Sequence, residues 1–74
     1  LIMWIRSQNG NILAYCQTLG FSEDGYGIAE VRDNCILILG DYETPEQAKY
    51  VMDMISQSVG HQVGVFQMPK EVRL

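Results

Sequence analysis

Apolar side chains recur every three or four residues in the stretch that begins after Pro45. This spacing places them on one stripe of a helix with about 3.6 residues per turn. Thr44 suits the N-cap, Gln47 completes a capping box with it, and Gly60 suits the position just beyond the helix end. The pattern predicts a single helix over residues 44–59, packed on a sheet through the stripe Ala48, Val51, Met52, Ile55 and Val59.

Two apolar side chains of the predicted helix lie off this stripe. Tyr50 and Met54 form a second apolar shoulder, beside Gln47 and Gln57. We expect either the C-terminal tail or a partner to cover this shoulder, because contiguous apolar surface on a small protein marks a site of contact.

An Asn9-Gly10 pair separates the first two apolar-rich segments, residues 2–8 and 11–17. Because both members of the pair tolerate positive φ, they predict a β-hairpin with a two-residue connection. Side chains of the first strand alternate between two faces, and the pattern leaves open which face joins the core. One face carries Trp4, Arg6 and Gln8, and the other carries Met3, Ile5 and Ser7.

A second two-residue connection, Asp33-Asn34, separates residues 26–32 from residues 35–39. It predicts a second hairpin, which follows a loop or turn over residues 19–27. Residues 35–39 are apolar throughout, and such runs are typical of strands buried on both faces, so we expect this strand to be central. Residues 26–32 alternate as expected for a strand that is wet on one face, with Tyr26, Ile28, Glu30 and Arg32 opposite Gly27, Ala29 and Val31.

Residues 62–68 predict a last strand, which Pro69 ends, and residues 69–74 form a tail. A strand, a helix and a strand joined by short links favour a right-handed crossover with the two strands parallel. The elements predict one α+β domain over residues 1–74 in the order ββββαβ. Its mixed, mainly antiparallel sheet has about five strands, with the helix packed on one face and no second helix for the other face.

Charge is sparse and slightly acidic in this chain. Charged residues make up 19% of it, below the usual quarter, and the net charge is −4. The five basic residues are scattered, so direct nucleic-acid binding is not expected. No apolar run reaches the roughly 20 residues that cross a bilayer, so we expect no membrane partner. Because no secretory segment precedes the two cysteines, we expect them to be reduced and the protein to be cytoplasmic. A small domain with little surface charge favours self-association or a protein partner.

No catalytic, metal or cofactor motif stands out in the chain. We expect Cys16 and Cys35 to be reduced thiols packed in or near the core, with a disulfide, or metal or redox chemistry, as the alternatives. His61 follows the predicted helix end, where we expect a capping or surface role. The carboxylates near the helix start and in the Gly25 turn are expected to be structural: Asp41, Glu43 and Glu46, and Glu23 and Asp24. We therefore predict no enzyme and no cofactor.

Three segments carry a resemblance to a known family. They are residues 3–8, 39–51 and 66–69, with the sequences MWIRSQ, LGDYETPEQAKYV and FQMP. By these segments the chain resembles a family of small proteins of unknown function from Gram-positive bacteria and their phages and mobile elements. The resemblance spans nearly the whole chain, and its motifs are structural. It implies a cytoplasmic setting and a natural start at Met3, and it brings no activity, cofactor or catalytic residue.

The sequence therefore favours an interaction protein without catalytic activity, either a homodimer or a subunit that docks elsewhere. A partner would pair with the uncovered sheet face or with a sheet edge. The alternative is a small regulatory or ligand-binding module, including an acidic inhibitor of a nucleic-acid enzyme. Aromatic side chains could also stack on bases, but the scattered basic residues disfavour this function. The candidate interface residues are Trp4, Tyr15, Tyr26 and Phe66 on the sheet and Tyr50 and Met54 on the helix shoulder.

Overall fold

The computed structural model describes residues 3–61 and 64–74. These residues form β1 (Met3–Arg6), β2 (Leu13–Cys16), β3 (Leu19–Phe21), β4 (Gly27–Arg32), β5 (Cys35–Asp41), α1 (Pro45–Ser58) and β6 (Val65–Gln67). The α+β class is confirmed. Strand β3 lies in the segment predicted to be a loop or turn, and it forms because its three residues pair with β4. One residue of the predicted first strand, Ile2, and two of the predicted last strand, 62 and 63, lie outside the described residues.

The described strands form two three-stranded sheets rather than the single five-stranded sheet predicted. The first sheet has the order β2-β1-β6 and the second has the order β3-β4-β5. Neighbouring strands are antiparallel except β1 and β6, which run parallel. A backbone hydrogen bond joins the sheets, from Gln8 N–H, just after β1, to Leu39 O of β5 (2.7 Å). Within the second sheet, Val31 N–H donates to Thr18 O (3.0 Å), which extends the pairing of β3 with β4 by one residue.

Strand β5 is an edge strand, not the central strand predicted. Among the described strands it pairs with β4 alone, and β6, expected parallel beside it, pairs with β1 instead. Side chains of β5 that face away from the core, Ile36 and Ile38, are exposed. An apolar edge strand and a strand buried on both faces have the same sequence pattern, so only their neighbours distinguish them.

Strand β4 is buried along most of its length, whereas the alternation predicted one wet face. Ile28 and Ala29 are buried on opposite faces, and Glu30 is only 2% exposed. The reason is position, since β4 is the central strand of the second sheet. The prediction that one face of this strand is wet is therefore wrong for residues 27–30, which are buried on both faces.

The two predicted hairpins are present, and the second has the two-residue connection Asp33-Asn34. The first connection is longer than predicted, because residues 7–12 link β1 to β2. Only Gly10 in this loop has positive φ, at +79°. The side chain of Asn9 organises the turn instead, because its Oδ1 accepts hydrogen bonds from Ser7 Oγ (2.8 Å) and Asn11 N–H (2.9 Å).

The helix begins and ends as predicted. Thr44 Oγ1 accepts a hydrogen bond from Gln47 N–H (3.1 Å), and Gln47 Oε1 accepts one from Thr44 N–H (3.0 Å), which completes the capping box. Val59 is the C-cap, and Gly60 follows it with φ +86°. The predicted stripe is confirmed at Ala48, Val51 and Ile55, which are buried, and at half-buried Met52, and it is wrong at exposed Val59.

One core lies between the helix and the inner faces of both sheets. Its members come from all three layers: Met3, Ile5, Ala14 and Cys16 from the first sheet, Ile28 and Leu39 from the second, Ala48, Val51 and Ile55 from the helix, and Tyr42 and Met68 from the flanking segments. In β1 the core face is thus that of Met3 and Ile5, and Trp4 points away from the core. No described element covers the outer face of the first sheet.

Candidate protein interface

Trp4 and Tyr15 form an aromatic pair on the outer face of the first sheet. They are direct cross-strand partners in β1 and β2, and their ring centroids lie 4.9 Å apart with planes tilted by 47°. Trp4 is 44% exposed and Tyr15 is 48% exposed. The two rings therefore support each other while a large part of each still faces solvent.

The strand register extends this pair into a continuous surface. Val65 of β6 lies opposite Trp4, so one row across the three strands is Tyr15, Trp4 and Val65. The next outward-facing row holds Leu13, Arg6 and Gln67, with Arg6 between the other two. We name the six outward side chains of these two rows the Trp4 face: Trp4, Arg6, Leu13, Tyr15, Val65 and Gln67.

Two clefts border Arg6 on the Trp4 face. The first has a volume of about 420 Å³, and Leu13, Val65 and Gln67 also line it. The second has a volume of about 450 Å³ and extends along Gln67 to Lys70. Arg6 Nε donates a hydrogen bond to Gly10 O (3.1 Å), which holds the guanidinium over the hairpin loop. The face therefore combines aromatic and aliphatic surface with a positioned cation.

The six predicted interface residues are not gathered at one site. Only Trp4 and Tyr15 meet, because Phe66 lies opposite Ile5 on the inner side of the first sheet and packs against the core. Tyr26 is exposed in the turn before β4. On the helix, Tyr50 is exposed and Met54 is half-buried.

The C-terminal tail lies near the start of the helix and leaves the Tyr50 ring exposed. Gln47 Nε2 donates a hydrogen bond to Val72 O (2.8 Å), and Tyr42 Oη donates one to Pro69 O (2.8 Å). Burial raises the pKa of Tyr42 to about 12, so its hydroxyl remains a donor at neutral pH.

A second exposed apolar surface lies on the outer side of the second sheet. Val31 and Ile36 are direct partners there, and Ile38 lies beside them on β5. All three side chains are aliphatic. This surface has neither an aromatic ring nor a cation among the three, which sets it apart from the Trp4 face.

A buried carboxylate lies where the two sheets meet. Glu30 Oε1 is 2.9 Å from Arg32 Nη2, the one ion pair within residues 3–61 and 64–74. That oxygen is buried and has no hydrogen bond of good geometry, because the guanidinium N–H does not point directly at it. Arg32 Nη2 also lies 3.5 Å from Tyr15 O, and the close contact with the Glu30 carboxylate raises the pKa of Arg32. The pair therefore links the second sheet to the strand that carries Tyr15.

The thiol of Cys16 belongs to the same buried region. Burial, followed by the negative charge of Glu30, raises its pKa to about 11. The thiol is therefore protonated at neutral pH and is a poor nucleophile. A cleft of about 390 Å³ adjoins this region and is lined by Tyr15, Gln17, Thr18, Glu30, Val31, Arg32 and Asp33, without Cys16.

The remaining candidate groups for chemistry differ in exposure. Cys16 is buried as predicted, but Cys35 is exposed, because β5 is an edge strand, and both thiols are free. His61 is exposed. Among the residues that the structure describes, no three His, Cys, Asp or Glu side chains come together as a possible metal site.

The predicted acidic residues fall in two segments that touch each other. Tyr42 N–H donates to Tyr26 O (2.9 Å), which brings the turn holding Glu23 and Asp24 next to the segment before the helix. Hydrogen bonds from Ser22 Oγ and Tyr26 N–H lower the pKa of Asp24, as expected for a turn carboxylate. The charge at this end is mixed, because a cleft of about 480 Å³ contains Lys70 and Arg73 together with Asp41, Glu43 and Glu71.

Four residues of the Trp4 face were missing from the predicted set: Arg6, Leu13, Val65 and Gln67. Arg6 could have been found from its alternation with Trp4 along β1. Leu13 is two residues before Tyr15, so strand periodicity places the two on one face. Val65 gave no such signal, because its position opposite Trp4 depends on the pairing of β6 with β1. Gln67, like Val65, joins the face through the pairing of β6 with β1.

Comparisons with known proteins add no relative to this description, since no protein-family model, no curated protein and no solved structure matches the chain. The helix found in the described residues is too short and too polar to cross a membrane.

Proposed function

We propose that this chain is a protein-interaction module without catalytic activity, and that a protein partner docks on the Trp4 face. The observation that carries this proposal is the Trp4–Tyr15 pair, exposed in the middle of a sheet face that no described element covers. Exposed contiguous apolar surface of this kind marks interaction sites on small proteins. The cytoplasmic setting and the resemblance to small phage and mobile-element proteins belong to the same proposal.

The residue types on the Trp4 face support a protein partner. Trp, Tyr and Arg are the residues most enriched among those that dominate binding energy in protein interfaces. Trp4, Arg6 and Tyr15 are adjacent on β1 and β2. The aliphatic surface of Val31, Ile36 and Ile38 offers none of these types, so we rank it second as a docking surface.

Site-specific photo-crosslinking in the native host cell tests this function. A benzophenone amino acid replaces Leu13, which is 56% exposed on the Trp4 face, and in a matched control it replaces Tyr50, which is 48% exposed on the helix. We expect protein adducts from position 13 and not from position 50. An adduct of twice the chain mass identifies a second copy as partner, and any other mass identifies a different protein. The absence of adducts at position 13 contradicts the proposal.

A small regulatory module that acts through its acidic end is the second candidate function. It is supported by the contact between the two acid-bearing segments, through the hydrogen bond from Tyr42 N–H to Tyr26 O. Lys70 and Arg73 in the neighbouring cleft weaken it, because they reduce the local negative charge. If the benzophenone amino acid forms protein adducts when it replaces Glu43 and forms none when it replaces Leu13, this second function replaces the first.

A further inference from the structure

The charge of this chain is divided between its two sheets. Residues 1–22 and 54–70 contain no Asp or Glu, although the net charge of the whole chain is −4. All three strands of the first sheet come from these two stretches. The Trp4 face is therefore free of carboxylates in an otherwise acidic protein.

Arg6 lies in the middle of this carboxylate-free surface. Its one side-chain hydrogen bond within the described part of the chain is the bond from Nε to Gly10 O. No carboxylate lies within ion-pair distance of it among those residues. Arg6 lines both clefts of this face, and Lys70 adds a second cation to one of them. A guanidinium in this position is suited to bind a carboxylate in a bidentate manner.

Resting on the proposed function, we infer that the partner presents a short acidic polypeptide segment to this face. Its apolar side chains pack on the row Tyr15, Trp4 and Val65, and a neighbouring carboxylate binds Arg6. The complementarity is thus between an apolar row with an adjacent cation and a peptide with apolar and acidic side chains side by side. Such charge pairing supplies specificity and register, and the aromatic pair supplies most of the affinity.

The size of the face fits a short segment better than a second copy of the chain. Aromatic side chains bury about 150–250 Å² each when fully covered. Even at this size, the four half-exposed apolar side chains of the face, Trp4, Leu13, Tyr15 and Val65, would together offer roughly 400 Å² at most. A stable interface needs about 800 Å² from each partner. A second copy would also bring the same carboxylate-free face, which leaves Arg6 without a counter-charge.

Single-stranded nucleic acid fits the face less well than a peptide. Two stacked rings could hold bases, but tracking a phosphate backbone requires a row of cations, and here only Arg6 and Lys70 line the clefts. Leu13 and Val65 add aliphatic surface that suits side chains of a polypeptide.

Selection from a random peptide display library tests the inference. Peptides that bind a Trp4→Ser variant are first removed from the library, and a parallel selection uses a Leu13→Ser variant for this step. Circular dichroism confirms that each variant is folded. The remaining peptides are then selected on the immobilised wild-type chain. We expect the surviving peptides to carry Asp or Glu next to large apolar residues. For synthetic copies of these peptides, Arg6→Glu should weaken binding about tenfold or more, which corresponds to about 1.4 kcal/mol. Arg73→Glu makes the same charge change in the tail and should leave binding unchanged.

Several outcomes would overturn this inference. One is that the surviving peptides lack an excess of acidic residues or bind Arg6→Glu as well as wild type. Another is that no peptide depends on the Trp4 face. If fluorescent oligothymidine binds more tightly than the selected peptides and Trp4→Ser weakens this binding, the face belongs to nucleic acid. If the wild-type chain sediments as a dimer and Trp4→Ser sediments as a monomer, the face belongs to a second copy. If position 13 still forms crosslinks, failure of the peptide selection leaves the proposed function standing, and if it forms none, both fail.

Discussion

The guanidinium of Arg32 lies 2.9 Å from the carboxylate of Glu30, so that an exposed cation is paired with a buried anion. The two partners differ in what their loss would leave behind. Without Arg32, a buried carboxylate loses its counter-charge. Without the carboxylate of Glu30, the guanidinium still has water around it, because its side chain is 56% exposed.

We therefore expect Arg32→Ala to destabilise the fold more than Glu30→Gln. Leaving a buried charged group unpaired should cost about 2–3 kcal/mol, and Glu30→Gln should cost less than about 1 kcal/mol. Urea denaturation of both variants measures the difference. The double variant should recover part of the loss in Arg32→Ala, because it no longer contains the buried charge. A larger loss in Glu30→Gln than in Arg32→Ala would refute this account of the pair.

The two cysteines should differ in reactivity, because Cys16 is buried and Cys35 is exposed. At pH 8 we expect Ellman's reagent to titrate one thiol per folded chain and two in urea, since the buried Cys16 is protonated and shielded. Cys35→Ser should remove the reaction of the folded chain. If the folded Cys35→Ser variant reacts as quickly as wild type, Cys16 is accessible and the assignment is wrong.

Alkaline pH should destabilise the fold through Cys16. Its pKa rises from 9.0 to about 11 in the folded chain. Between these values the folded chain holds a proton that the unfolded chain releases, so the free energy of unfolding falls as pH increases. By pH 10 the loss should reach about 1 kcal/mol. Urea denaturation at pH 8 and pH 10 in the Cys35→Ser background measures it, and the added substitution Cys16→Ala should remove this part of the pH dependence.

Gln47→Glu should release the tail while it preserves the helix start. Gln47 Oε1 accepts hydrogen bonds from the N–H groups of Glu43 and Thr44, and a carboxylate can do the same. Its Nε2 donates to Val72 O, and a carboxylate oxygen in that place would repel the carbonyl. We expect unchanged helical circular dichroism and faster amide hydrogen exchange in residues 71–74. Gln57→Glu adds the same charge on an exposed helix position and should leave tail exchange unchanged.

Two isoleucines of the second sheet provide a matched test of where the core lies. Ile28 is fully buried, whereas Ile36 is 67% exposed. Ile28→Ala should lower the free energy of unfolding by about 2–5 kcal/mol, because it leaves a cavity. Ile36→Ala should lower it by less than about 1 kcal/mol, mainly through strand propensity. If chemical denaturation shows that both variants lose the same free energy of unfolding, another molecule or a second copy of the chain covers Ile36 in solution.

The helix and the hairpins depend on signals that are close together in the chain. The capping box joins Thr44 and Gln47, three residues apart, and Asp33-Asn34 links β4 directly to β5. Such signals can be interpreted without knowledge of the rest of the fold. The Asn9-Gly10 hairpin was also predicted, although its turn uses the Asn9 side chain rather than two positive φ angles.

The candidate site was only partly predictable for the same reason. Trp4 and Tyr15 face each other because a local hairpin sets their register. Val65 joins them only through the pairing of β6 with β1, which are about 60 residues apart in the chain. The burial of Glu30 had no local signal, because alternation along a strand does not say which face is wet or whether both are covered.

By itself, the sequence determined the α+β class, the bounds and caps of the helix, the two hairpins and the absence of carboxylates from the segments of the first sheet. The tertiary structure alone decided that the strands divide into two sheets, that β5 is an edge and β4 a centre, and that Trp4 rather than Phe66 faces outward beside Tyr15. The physical reason is that caps, turns and periodicity act over a few residues. Strand partners are chosen by the burial and hydrogen bonding of distant segments, which compete across the whole chain.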